Sequence, residues 1–272
     1  MSNRLVIIPT YNEIENITQI ISAVFELSLD FHVLIVDDGS PDGTAAQVKS
    51  LQSQYPGQLF IEERTGKGGL GTAYIHGFKW ALKKQYDYIF EMDADFSHPP
   101  KDLIALFEAC EKGADLSVGS RYKKGINVVN WPLYRILISY GASFYVKLIT
   151  GMRVHDPTAG FVCYTRKVLE AIPLDRVRFV GYAFQIEMKF RAHILGFKIE
   201  EVPIVFKDRE LGKSKMSSAI VGEAVIGVLK LKWQSVFNKN NFYKSPTYKM
   251  NEVKNIVGTG DCFMAGLIYG IH

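Results

Sequence analysis

Cysteine is scarce in this sequence, and its few copies stand apart. Cys110, Cys163 and Cys262 are the only three in 272 residues, and none forms a Cys-x-x-Cys pair. An odd, scattered set offers neither a disulfide framework nor a zinc site and fits a reducing, cytoplasmic setting. Long apolar runs are missing too: no stretch reaches the roughly 18–20 residues that a membrane-spanning helix needs. The opening MSNRLVIIPTYNE turns polar too soon for a secretory signal. No low-complexity tract occurs, and 47% hydrophobic with 22% charged residues is a globular composition. Acidic residues are absent locally: there is none from Leu116 to His155 and none from Ala224 to Asn251, although the net charge is only +4. Where the charges sit therefore matters more than their sum.

The first 120 or so residues alternate strand and helix signals. Leu5–Ile8 is a short apolar run closed by Pro9, and Ile14, Ile17, Ile20, Ile21, Val24 and Phe25 recur at helical spacing. Further apolar runs at Val33–Val36, Leu59–Glu62, Tyr88–Met92 and Leu116–Val118 predict strands. Helices are expected over about 44–55, about 71–84 and after Pro99-Pro100. This rhythm predicts a mostly parallel sheet with helices on both faces. Ligands bind beyond the carboxyl ends of such strands. The turns PTYNE, DDGSPDG and DADFSHPP all fall there and should share one crevice. The second half is less regular. Trp131–Thr150 is aromatic and apolar, Tyr182–Leu195 predicts a helix, Ile199–Phe206 a strand broken at Pro203, and Ser217–Phe237 a helix.

Asp93 and Asp95 lie one residue apart, so on a continuing strand both side chains face one side. Like charges so placed repel unless a cation lies between them. A hard divalent ion bridging to a diphosphate would satisfy both. A bare Asp-x-Asp is also met in solvated turns at helix starts, but here an apolar strand precedes it and further carboxylates end two other strands. Asp38 and Asp42 are equally consistent with turn chemistry and helix capping.

PTYNE (9–13), DDGSPDGT (37–44), RTGKGGLGTAYIHGF (64–78), DADFSHPP (93–100), GSRY (119–122), RILIS (135–139), DPTAGF (156–161) and VPIVFKDRELGKSKM (202–216) follow in order. The series resembles the dolichyl- and polyprenyl-monophosphate mannose synthases of glycosyltransferase family 2 over about residues 3–237. The resemblance implies a Rossmann-like α/β fold of the GT-A type with amphipathic C-terminal helices. It also implies inverting transfer of mannose from GDP-mannose to a dolichyl or polyprenyl phosphate with Mg²⁺ or Mn²⁺. A lipid-phosphate glycosyltransferase using UDP-glucose or another nucleotide sugar is the alternative. By the same resemblance, Pro9, Tyr11, Glu13, Asp38, Asp42 and Lys67 bind the donor together with Asp93, Ala94 and Asp95. Asp93, Asp95 and Ser97 are the metal positions, Ser97 standing where relatives often carry Gln. Arg121, Arg135, Ser139, Arg209 and Lys215 face phosphates, and Asp156 positions the sugar or its loop. Asp95, Arg121 and Arg209 are the expected catalytic residues.

The two acid-free stretches mix Arg121, Lys123, Lys124, Arg135, Lys147 and Arg153, and later Lys230, Lys232 and Lys239, with aromatic and apolar residues. That mixture suits a lipid headgroup boundary, here at the cytoplasmic face of a membrane. Nucleic acid is not expected, because the acidic strand ends would repel a polyanion. Ser217–Phe237 reads equally as a core-packing helix. A separate membrane-anchoring subunit is left open. Residues 1–240 are expected to form the transferase domain, 241–254 a linker, and 255–272 a fragment. Its GTGDCFMAGLIYG resembles the C-terminal signature of ribokinase-like carbohydrate kinases. The rest of such a kinase is absent, so no kinase activity is expected.

Overall fold

Alternating β-branched and aliphatic runs dictate strands that must be covered on both faces, and the chain supplies the covers in sequence order. The computed structural model describes residues 3–66, 68–207, 218–237 and 242–243. The first half runs β1 (Arg4–Thr10), α1 (Ile17–Phe25), β2 (His32–Asp37), α2 (Thr44–Leu51), β3 (Leu59–Glu63), α3 (Leu70–Lys83), β4 (Tyr88–Glu91), α4 (Asp102–Glu111) and β5 (Leu116–Ser120). Then follow β6 (Val128–Val129), α5 (Leu133–Thr150), β7 (Val162–Thr165), α6 (Arg166–Ala171), α7 (Tyr182–Ile194), β8 (Ile199–Pro203), β9 (Phe206–Lys207) and α8 (Ser218–Phe237).

Seven strands form one sheet in the order β3-β2-β1-β4-β7-β5-β8. All pairings are parallel except those of β7, which runs antiparallel to both β4 and β5. The strand order reverses beside β1, between β2 and β4, which is where a doubly wound sheet opens its crevice. Side chains alternate across the sheet. Leu5, Ile7, Leu34 and Val36 join the cluster under α3 and α7, whereas Val6, Ile8, Val33 and Ile35 pack with α1 and α4. A third cluster unites α5, α7 and α8 through Val146, Ile186, Phe190, Val228 and Leu231. Phe242, at the start of the expected linker, packs its ring edge-on against Phe190 at 5.9 Å. Apart from Phe242 and Tyr243, the expected linker and tail lie outside the described residues.

Two features add detail to the expected mostly parallel sheet. The antiparallel strand β7 breaks the otherwise parallel order, since the chain returns from the rim between β4 and β5 rather than crossing over. Cys110 and Cys163, distant in sequence, also meet in the core with their sulfurs 3.7 Å apart.

α7 is buried all round, yet its sequence YAFQIEMKFRAHI carries charge. Glu187 Oε1 accepts from Arg191 Nε at 2.9 Å and Nη2 at 2.7 Å, and both side chains are almost wholly buried. Glu187 Oε2 accepts from the backbone N–H groups of Arg178 and Phe179, and Arg191 donates to the Arg176 carbonyl. The pair thus pins the 176–180 segment, and that segment lies on the start of α3. There the Gly71 N–H donates to the Val180 carbonyl at 2.8 Å. A Cβ on Gly71 would stand 2.7 Å from the Phe179 carbonyl, so only glycine admits this approach.

Removing one partner of this pair should cost far more than removing both. Arg191→Leu is expected to lower unfolding free energy by about 3–5 kcal/mol, and Glu187→Leu/Arg191→Leu to recover most of it, in urea titrations.

Candidate active site

The turn after β1 and the turn after β2 are stitched together. Asp37, buried at the end of β2, accepts from the Thr10 hydroxyl at 2.7 Å, from the Ser40 hydroxyl at 2.6 Å and from the Ser40 N–H at 2.9 Å. Asn12, Glu13 and Ile14 donate backbone N–H groups to Ser40 Oγ, Thr44 Oγ1 and Asp42 Oδ2. Asp42 also accepts from the Thr44 N–H and hydroxyl. Desolvation alone would raise its carboxyl, but these donors hold it below the ordinary carboxylate range. Asp37 and Asp42 therefore shape the turns. Asp38, the next residue, lies beside the glycine-rich loop instead: it accepts from the Gly68 N–H at 3.2 Å, and Arg64 Nε lies 3.3 Å from its Oδ1. Pro9, Tyr11 and Glu13 are half-buried on the same rim.

The expectation that Asp93 and Asp95 share one strand face needs correction. β4 ends at Glu91. Phe96 takes a left-handed backbone, φ 58°, that a bulky residue rarely adopts and that costs of order 1–3 kcal/mol. The chain turns there, and Asp95 Oδ1 accepts the Ser97 N–H at 3.0 Å. Asp93 meets the Tyr74 hydroxyl at 3.4 Å. Ala94 turns its methyl into the core, and Ser97, also buried, gives its carbonyl to the Lys207 N–H. The acids thus leave the strand by a tight turn, each with its own neighbours.

Across the rim stands Arg121, just after β5. Asp156, with no exposed surface, grips it: Oδ2 accepts from Arg121 N at 3.0 Å and Nε at 2.7 Å, and Oδ1 from Nη2 at 2.6 Å. Burial would raise the Asp156 carboxyl, but the Arg121 guanidinium holds it below the usual carboxylate range. Asp156 therefore orients an arginine, which refines its expected role of positioning the loop. Glu201 Oε1 in turn fixes the N–H groups of His155 and Asp156. The Arg121 guanidinium lies 5.5 Å from the ring centres of both Trp131 and Phe206, and that of Arg135 lies 4.1 Å from Trp131. Ser139 accepts the Tyr122 hydroxyl at 2.7 Å. Arg121, Arg135 and Ser139 are thus brought together. His98 joins the two sides, stacked on Phe161 at 5.0 Å and edge-on to Phe206. Burial keeps its imidazole neutral, lowered to about 4 against the pull of Asp95.

Lys67, Arg209 and Lys215 lie outside the described residues. Several side chains at this rim carried no expectation. Arg64 and His98 sit inside motifs noted in the sequence, so their position alone could have flagged them. Glu91, Gln185, Lys189 and Glu201 gave no such signal, because buried charges on a helix or strand read like solvated ones. Among the described residues no group of three or more His, Cys, Asp or Glu side chains is arranged to hold a metal ion by itself. Asp93 and Asp95 offer hard oxygen donors only, which fits a Mg²⁺ or Mn²⁺ ion completed by diphosphate oxygens rather than by protein.

The sequence matches the family described as Glycosyl transferase family 2 over residues 5–172. It is 48% identical over 224 residues to a polyprenol monophosphomannose synthase of Mycolicibacterium smegmatis, covering 82% of this chain and 84% of that one. It is 45% identical over 236 residues to an undecaprenyl-phosphate mannosyltransferase of Micrococcus luteus, covering 85% and 96%. In fold it is similar to glucosyl-3-phosphoglycerate synthase of Mycobacterium tuberculosis, with a TM-score of 0.60 at 18% identity over 84% of this chain and 78% of that one.

Because the folded Asp156 carboxyl is depressed, its contribution is full above the unfolded carboxylate range and fades as pH falls through the lower folded value. The stability gap between wild type and Asp156→Asn should therefore be widest near neutrality and close on acidification below about pH 4, read by denaturant unfolding across pH.

Proposed function

The chain belongs to glycosyl transferase family 2, and from that membership we propose that it moves mannose from GDP-mannose to a polyprenyl or dolichyl phosphate, inverting the sugar carbon. The observation that carries the reading is the pairing of opposite charge across one rim. Two carboxylates stand beyond β4, and two arginines converge on Trp131 beyond β5. Relatives named for polyprenyl-phosphate mannosylation, matched along most of their length, support the lipid phosphate as acceptor.

The rim suits a single displacement. An acceptor phosphate is already anionic near neutral pH, so it attacks the sugar carbon without a strong protein base. Attack from the side opposite the leaving group reverses configuration at that carbon. Arg121, its plane fixed by Asp156, lies on the acceptor side, and guanidinium planarity suits it to phosphate. Arg135 lies beside it on the same indole. Asp38 and the glycine-rich loop flank the nucleotide side. Asp93 and Asp95 would hold a divalent ion, which would supply positive charge against the leaving diphosphate.

The acceptor is lipidic, and the chain offers a surface to match. Among the described residues no helix is long and apolar enough to cross a membrane. α5 and α8 are linked where the Tyr145 hydroxyl donates to the Val225 carbonyl at 3.0 Å. Both leave large apolar side chains in solvent: Leu133, Leu137 and Phe144 on α5, Ile226, Trp233 and Phe237 on α8. Such a face, set among Lys147 and Lys230, is suited to lie in a headgroup layer.

Labelled mannose should pass from GDP-mannose to a polyprenyl phosphate in the presence of Mn²⁺ and stop with EDTA. Faster transfer from UDP-glucose would instead favour the alternative donor. Asp95→Ala should abolish divalent-dependent donor binding, measured by calorimetry. Leu137→Asp/Trp233→Asp should weaken sedimentation with anionic vesicles while leaving unfolding midpoints unchanged.

A further inference from the structure

α7 carries a lysine where a buried helix ordinarily carries none. Lys189 has no exposed surface, and its ammonium protons are all placed. They lie on the Ala159 carbonyl at 2.6 Å, the Gln185 carbonyl at 3.2 Å and Gln185 Oε1 at 3.1 Å. Two of those acceptors belong to α7 itself. The bond that leaves the helix, and the shortest of the three, goes to Ala159.

Ala159 lies in the 156–161 segment, which touches both halves of the site. At its start Asp156 grips Arg121. At Gly160 it comes against the acidic turn: a Cβ there would stand 4.0 Å from Asp93 Oδ2 and 3.6 Å from Gln185 Nε2. At its end the Phe161 carbonyl accepts the Gly119 N–H of β5 at 2.8 Å. The spacing between the donor-side carboxylate and the acceptor-side arginine therefore runs through this segment, and Lys189 ties its middle to the core.

Stability does not account for the lysine. The polar groups around it are only weakly paired: the Glu91 carboxylate, Gln185 Nε2 and the Tyr164 hydroxyl face one another in the core at geometry short of full hydrogen bonds. Burial pushes the Glu91 carboxyl up and the Lys189 ammonium down, each charge partly offsetting that for the other. A well-packed apolar set would hold the helix at least as well.

We infer that Lys189 is a positioning residue for the transfer step: it fixes the 156–161 segment so that Arg121, in the grip of Asp156, stands at working distance from Asp93. The inference rests on the mannosyl-transfer reading. Lys189→Met alone would leave Glu91 uncompensated and Glu91→Gln alone would leave Lys189 uncompensated, so the test removes both charges in Glu91→Gln/Lys189→Met and takes wild type as its reference. The paired variant should keep the unfolding midpoint and the Mn²⁺-dependent GDP-mannose affinity of the reference. Its kcat should fall about 10- to 100-fold, the scale of an ångström-level misplacement. A kcat equal to that of the reference overturns the inference. If the paired variant does not fold, Gln185→Leu decides. It removes one of the lysine's acceptors without stranding a charge and should lower kcat at unchanged donor affinity, whereas wild-type kcat there overturns the inference. Wild type assayed alongside separates the two failures: no mannose transfer by wild type sinks the functional reading, while equal turnover in wild type and variants sinks only the role of Lys189.

Discussion

The site depends on one carboxylate that never meets water. Asp156 has no exposed surface, and it takes three hydrogen bonds from Arg121 and one from the Thr158 hydroxyl. Gripped through Nε and Nη2, the Arg121 guanidinium is held in one plane. The rings around it follow from that fixed plane. Trp131 and Phe206 lie at equal distance from the guanidinium, and Phe206 brings the short β6–β9 ladder with it. Around Asp156 the support is backbone-directed: Glu201 secures the amides on its N-terminal side, and Lys189 a carbonyl on its C-terminal side. The pair gains its value less from attraction than from what its loss would leave, a buried charge without a partner.

The sheet was readable from sequence because its strands are covered on both faces. That leaves near-continuous apolar runs that only a buried parallel arrangement explains. The clustering of PTYNE, DDGSPDG and DADFSHPP followed from the same logic, since all three end parallel strands. What was not readable lies where a local rule is overridden. β7 follows a long excursion and pairs antiparallel, and four residues with no turn partner give no directional signal. Asp93 and Asp95 read as strand neighbours because alternation says nothing of a left-handed Phe96. α7 reads simply as a helix, because nothing local says that Glu187, Lys189 and Arg191 are enclosed once the tertiary structure closes over them. Cys110 and Cys163 show the same limit, since no spacing rule reports a contact made across the core.

The apolar outer helices and the catalytic rim share one core element. α8 approaches so closely that a Cβ on Gly227 would lie 2.7 Å from the Phe179 ring. The Phe179 carbonyl lies against Gly71, at the start of the helix that follows the glycine-rich loop. α7 holds the intervening segment through Glu187. The outer helices and the start of α3 are thus tied to one buried layer, α7 and the segment it pins.

The antiparallel return of β7 has a consequence for how such enzymes diversify. Residues 121–161 leave the sheet at the end of β5 and re-enter it at the start of β7, a hydrogen-bonded neighbour. Departure and re-entry lie on the same rim, about one strand spacing, some 5 Å, apart. The excursion contains Arg121, Trp131, Arg135, Ser139, Asp156 and the whole of α5. Apart from the two-residue β6–β9 ladder, lengthening it need not disturb a strand register. The seven-stranded sheet and the turns after β1, β2 and β4 lie outside this excursion, so the stretch can vary in length and sequence while the sheet stays in place.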